Sequence, residues 1–251
     1  MPSEARSPRL AVLIDADNAS AKIADGLFEE IAKFGEASVR WIYGDFANVR
    51  TKAWTETLSR HAIIPKQQFP YTTGKNASDI TLVIDAMDLL HTGRFDGFCL
   101  VSSDSDFTRL ASRIREQTVD VFGFGEQKTP ESFRQACNRF IYTENLLPGA
   151  PADEQDTPAT TNNALEPLAN ATSIIMKAFE QVEGEDGWIS LGTIGNQLAK
   201  LAPDFDSRTY GFRQLSGLVK KTSAFDIDQP DGGPMRIRIK PPTGKGGKSA
   251  K

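Results

Sequence analysis

The chain has 251 residues, 39% hydrophobic and 25% charged, with a formal net charge of −4. This suits one or two globular domains, and no apolar run reaches the ~18 residues of a membrane-spanning helix. Only two cysteines occur, Cys99 and Cys137, without a CxxC or Cys/His cluster, which argues against a disulfide framework or a zinc site. The opening MPSEARSPRL lacks the apolar segment of a signal peptide, so a reducing, cytoplasmic location is expected. Charge is uneven along the chain. Residues 1–166 hold 17 Lys and Arg against 24 Asp and Glu, whereas residues 167–251 hold 12 against 9. The basic second part makes nucleic acid a candidate partner.

In chain order, the apolar run at 10–14 predicts a buried strand that stops at Asp15, Asp17 and Asn18, residue types ill-suited to continuing it. A helical pattern at 23–34 comes next, then strands at 38–43 and 62–65. The stretch ASDITLVIDAMDLL sets Ile80, Val83, Ile84, Met87 and Leu90 at helical spacing. Strands at 97–102 and 120–124 flank a helix at 107–117. Strand and helix in alternation predict an α/β fold, a doubly wound parallel sheet covered on both faces. Residues 148–166, PGAPADEQDTPATTNNALE, have the composition of a flexible linker. Beyond it, helices are predicted at 168–182, 190–201 (Ser190 as N-cap) and 207–221. AFDI and MRIRIK read as two short strands around the turn DQPDGGP. The expected division is a tail at 1–8, an α/β domain at 9–147, the linker, a small mostly helical domain at 167–241 and a disordered tail at 242–251.

The acids at the strand ends carry the chemistry. In an open parallel sheet the functional site lies beyond the carboxyl ends of the strands. Asp15 follows the first strand, Asp104 and Asp106 follow GFCLV in SSDSDF, and Asp79 opens the long amphipathic helix. Two unit charges about 4 Å apart repel by about 4 kcal/mol at an effective dielectric of about 20. A cluster of this kind is kept when a cation neutralises it, and oxygen ligands favour Mg²⁺ or Mn²⁺ over zinc. Such an ion activates water and stabilises charge on a phosphodiester. Asn18 is placed to orient Asp15, Ser102 and Ser103 can donate to a carboxylate, and Lys75 can meet a phosphate. Asp88 reads as solvated and Asp85 stays open. Each acid also has a plain structural role available: a strand end and cap at Asp15 and Asp17, an Asx turn at Asp104 and Asp106, and the helix dipole at Asp79.

IDADN, then KNASDITLVIDAMDLL, then VSSDSDF resemble the NYN domain, a branch of the PIN-like ribonuclease superfamily, over residues 9 to about 147. The resemblance implies a Mg²⁺- or Mn²⁺-dependent endoribonuclease in which Asp15, Asp79, Asp104 and Asp106 match the family's acidic quartet. An Asp-x-Asp after the first strand also opens haloacid-dehalogenase-like phosphatases, with Asp15 as nucleophile and Asp17 as acid. Ala19 stands where that family has Thr or Val, and no lysine motif precedes the later acidic pair.

In the second part, Leu191, Ile194, Leu198 and Leu201 share one helix face, and Phe205, Tyr210, Phe212, Leu215, Leu218 and Val219 supply the apolar side of residues 205–219. Arg208, Arg213, Lys220, Lys221, Arg236, Arg238 and Lys240 are the expected exposed cations. The pattern LGTIGNQLAKLAPDFDSRTYGFRQLSGLV resembles the OST-HTH, or LOTUS, domain, over residues from about 168 to 241. This implies a winged-helix-like module that binds RNA or, in some members, a protein. Arg208, Arg213, Lys220, Lys221, Arg236 and Arg238 are the candidate RNA contacts, on charge alone. The leading expectation is an RNA-directed metal-dependent endonuclease, and the competing one is a non-catalytic RNA-binding or adaptor protein. Oligomeric state and RNA target stay open.

Overall fold

The computed structural model describes residues 6–47, 49–67, 77–147, 165–184, 186–230 and 233–240. Lys75, most of the expected linker and the expected C-terminal tail lie outside the described residues.

The first domain runs β1 (Arg9–Asp15), α1 (Ala24–Ile31), β2 (Glu36–Gly44), α2 (Val49–Leu58), β3 (Ile64–Gln67), α3 (Ala77–His91), β4 (Gly97–Val101), α4 (Thr108–Glu116), β5 (Asp120–Gly125), α5 (Glu131–Ala136) and β6 (Arg139–Tyr142). All six strands are parallel, in the order β3-β2-β1-β4-β5-β6. β1 is covered on both faces, which is why its sequence is continuously apolar rather than alternating. Ala11 and Leu13 pack with Leu82, Ala86 and Leu90 of α3 and Leu110 and Ile114 of α4. Leu10, Val12 and Ile14 pack on the other face with Leu27 and Ile31 of α1 and Trp54 of α2.

Several sequence-based expectations shift. α2, α5 and β6 are not predicted, because segments of four to ten residues give too few turns or alternations to show a period. The strand predicted at 62–65 begins later, since Ala62 is still in a turn at φ 51°. The apolar face of α3 is carried by Leu82, Ala86 and Leu90, while Ile80 and Ile84 are exposed.

The second domain comprises α6 (Leu168–Glu180), β7 (Ile189–Ser190), α7 (Leu191–Leu201), α8 (Leu215–Thr222), β8 (Phe225–Asp228) and β9 (Arg236–Ile239). β9 is the middle of a three-stranded sheet, paired antiparallel to β7 and β8. Ser190 caps α7 by accepting from the Thr193 amide. The single helix predicted at 207–221 is broken into a 3₁₀ turn (Ser207–Tyr210) and α8. Gly211 causes the break. It takes φ +85°, and a Cβ there would stand 3.1 Å from Leu165 Cδ1. Tyr210 and Phe212 are buried with Ile175, Leu198, Leu218 and Ile237, so they serve the core rather than a stacking surface.

Candidate acidic site

The strand order reverses at β1, with β2 and β3 on one side and β4, β5 and β6 on the other. A crevice forms at such a reversal, beyond the carboxyl ends of the two central strands. Ile14 is registered against Val101, so the residues just after them, Asp15 and Ser102, are neighbours although 87 positions apart. Ser102 Oγ donates to Asp15 Oδ2 at 2.7 Å, and Asn18 Nδ2 donates to the same oxygen at 2.8 Å. Asp15 Oδ1 accepts from the amides of Asp17 and Asn18 at 3.0 and 3.3 Å. Asp15 is 1% exposed, and burial pushes its carboxyl above the ordinary value despite those hydrogen bonds. A carboxylate has about four lone-pair positions, so an ion held directly by Asp15 takes the place of one of these donors.

Asp104 and Asp106 lie at the mouth of the same crevice. Asp104 accepts from the Asp106 amide, which caps a short 3₁₀ turn (Ser105–Phe107), and its own amide donates to Ser102 Oγ. Phe107, buried at the end of that turn, fixes both acids to the core. Ser103 Oγ accepts from the Glu126 amide rather than serving a carboxylate. Asp79 sits in the first turn of α3. Its carboxyl is pushed up to about 6 by burial, then by the charges of Asp15, Asp104, Asp17 and Asp106. The four predicted acids, with Asp17 beside them, therefore share one field.

Among the described residues, no Lys or Arg forms an ion pair with any of these five acids. Nor do three or more of them stand close enough to hold an ion as placed. The donor set, all carboxylate and hydroxyl oxygen with uncompensated negative charge, fits a hard divalent cation that would draw the side chains together. Asp85 belongs elsewhere. It accepts from Tyr43 Oη at 3.0 Å and pairs with Lys66 at 3.3 Å. Asp88 is exposed.

Three residues of the site are missing from the sequence-based assignment. Asp17 is visible in Asp-x-Asp, but only its effect on Asp79 brings it in. Ser78 Oγ donates to Asp17 Oδ2 at 3.3 Å and joins α3 to the loop after β1. Trp54 Nε1 donates to Ala19 O at 3.0 Å, which fixes that loop from α2. Nothing local in the sequence signals the last two.

The cations of the second domain divide. Lys220 and Lys221 are exposed at the end of α8, and Arg213 is exposed as well. Arg208, expected to be an exposed cation, is 19% exposed and tied to Asp206 and Glu30. Arg236 and Arg238 pair across the hairpin with Asp228 and Asp226, and both lie over the Trp188 ring, at 5.3 and 4.7 Å. FDID and RIRI alternate in the same period, and their register sets each acid opposite a base. That face carries little net charge.

The NYN domain family model matches residues 9–146, and the OST-HTH/LOTUS domain model matches residues 166–237. No curated protein matches. Among solved structures, a protein of unknown function from Vibrio parahaemolyticus is similar at 17% identity over 58% of this chain and 98% of its own, with a TM-score of 0.48. An uncharacterized protein from Nitrosomonas europaea is similar at 36% identity over 36% of this chain and 90% of its own, with a TM-score of 0.29.

Proposed function

The chain belongs to the NYN domain family and carries an OST-HTH/LOTUS domain behind it, and from this premise we propose that it is a Mg²⁺- or Mn²⁺-dependent endoribonuclease whose second domain binds RNA. A PIN-like domain is of nuclease type, and OST-HTH domains are RNA-binding modules. The observation that carries the proposal is the crevice between β1 and β4, where burial and four neighbouring carboxylates raise the Asp79 carboxyl and no basic side chain among the described residues balances the five acids.

Asp79, Asp104 and Asp106, with Asp15 behind them, would hold the ion. When bound, it supplies an activated water and charge stabilisation for the phosphodiester. Asp15 is positioned by Ser102 and Asn18, so its carboxylate cannot rotate away from the crevice without losing two hydrogen bonds. Asp104 holds the turn that presents Asp106. RNA reaches the crevice through its backbone, with Lys220 and Lys221 attracting phosphates from the second domain.

The test is cleavage of mixed single-stranded and structured RNAs in EDTA, Mg²⁺ or Mn²⁺, beside Asp104→Asn. Cutting is expected only with metal, and Asp104→Asn should bind RNA without cutting it. One observation favours a non-catalytic adaptor instead, namely the full set of hydrogen bonds on Asp15. RNA bound but uncut under every condition would establish that reading.

Replacing Lys220 and Lys221 by Ala should weaken RNA binding and flatten its salt dependence, by up to about 1.4 in log–log slope if each meets one phosphate of a single strand. Titrations at several salt concentrations measure this. An unchanged slope would point to a protein partner for this domain.

A further inference from the structure

By composition, residues 148–166 are a tether that leaves the second domain free. The contacts between the domains lead elsewhere. β6 is the last strand of the parallel sheet, and its outer edge is covered by one short segment of the second domain. The Phe140 amide donates to Pro203 O at 2.8 Å. One residue on, Asp204 accepts from Tyr142 Oη at 2.8 Å and pairs with Arg134 of α5. Arg208 donates to both oxygens of Asp206 and, through Nη1, to Glu30 Oε2 at 2.8 Å. Asn145 Nδ2 donates to Thr209 Oγ1 at 3.2 Å.

Residues 203–209 thus reach α1, α5, β6 and the turn after β6 through four chemically separate contacts. Glu30 is the most telling. It is 7% exposed on α1, and carboxylates that deep are rare unless paired. Burial works against its charge, and Arg208, then Lys33, more than offset this and hold its carboxyl below the ordinary value. Both bond Glu30 Oε2, but Lys33 is largely exposed, so the well-buried partner of Glu30 is an arginine from the other domain. The seam is polar. A cavity of about 330 Å³ lies in it, lined by Arg134, Tyr142, Asp204 and Tyr210 among others, with Arg134 Nε buried and unpartnered. Directional polar and charge contacts fix the register of the seam.

We propose that residues 203–209 are a docking clamp for the open edge of the β-sheet, making the two domains one rigid unit that sets a fixed spacing between bound RNA and the cut. The spacing rests on the nuclease reading, whereas the docking does not. In this unit Arg208 is an interdomain fastener, and the OST-HTH domain guides RNA as a fixed jaw rather than as a loose tether. An uncovered β6 edge would also invite pairing with other chains, and the clamp occupies part of that edge.

The full-length protein would carry fluorophores on Asp88→Cys and Lys200→Cys, both exposed positions. The native thiols are buried. Single-molecule energy transfer should give one narrow distance. Glu30→Arg, which sets two positive charges together, should broaden it, and adding Arg208→Glu should restore the narrow peak. Asp204→Asn gives a second, milder release if Glu30→Arg does not fold. A broad distance in the unaltered protein, or an unchanged narrow one in both released variants, would overturn the docking. A dimeric mass with the clamp formed between two chains would overturn the single-chain unit. On an RNA cut at one position, the released variants should cut at scattered positions with total turnover kept. Unchanged positions would remove the spacing role and leave the docking standing. A narrow distance without any cutting would sink the nuclease reading alone.

Discussion

In EDTA near neutral pH, Asp79→Asn is expected to melt higher than the unaltered protein, and with Mn²⁺ present it should cut no RNA. The Asp79 carboxyl is pushed from its ordinary value of 3.8 up to about 6, by burial and by Asp15, Asp104, Asp17 and Asp106. The folded state therefore binds this proton more tightly than the unfolded chain does. Stability then falls with rising pH between those values. The penalty is absent below 3.8, grows toward about 6 and is complete above it. The advantage of the variant should open over that same window and vanish in acid. Mn²⁺ should raise the melting temperature of the unaltered protein and leave the variant nearly unmoved. Cleavage should fall by at least about a thousandfold, equivalent to about 4 kcal/mol of transition-state stabilisation. Thermal melts across pH, with and without metal, would check this. A variant that melts lower in EDTA at neutral pH would show that Asp79 serves the dipole of α3 instead.

Trp54→Ala should cost about 3–5 kcal/mol of stability, the range for emptying a large aromatic site in a packed core. Trp54 is 1% exposed on α2 and packs with the α1 face of the sheet. Its second role concerns the acid loop. The indole donates to Ala19 O and pins the loop that begins at Asp15. Trp54→Phe keeps most of the packing and loses that bond, at a net cost of about 0.5–1.5 kcal/mol. Its cleavage rate should drop more than its stability does, because Asp17 and Asn18 lose their anchor. Denaturant midpoints beside cleavage rates separate the two effects. A fully active Trp54→Phe would make the tryptophan a core residue only.

The strand at β1, the helix at α3 and the acids after β1 and β4 could be read directly from the chain, because each rests on periodicity or residue type within a dozen positions. α2 could not be read, since Trp54, its deepest anchor among the described side chains, stands amid Thr, Lys and Glu. Nor could the exposed side of α3, where Ile80 and Ile84 keep the same period as the buried Leu82 and Ala86 and only the sheet decides which stripe faces inward.

Residue order was enough for the alternation of strands and helices, the division into an acidic and a basic part, and which segments carry carboxylates. The tertiary structure alone decided which charges meet. Asp15 reaches Ser102 across 87 positions because β1 and β4 are neighbours in the sheet. Arg208, already paired with its near neighbour Asp206, reaches the other domain because Glu30 lies on a helix 178 positions away. Local period reports the face a side chain takes, whereas the partner across that face is set by strand order and domain docking, and no window of the chain contains both.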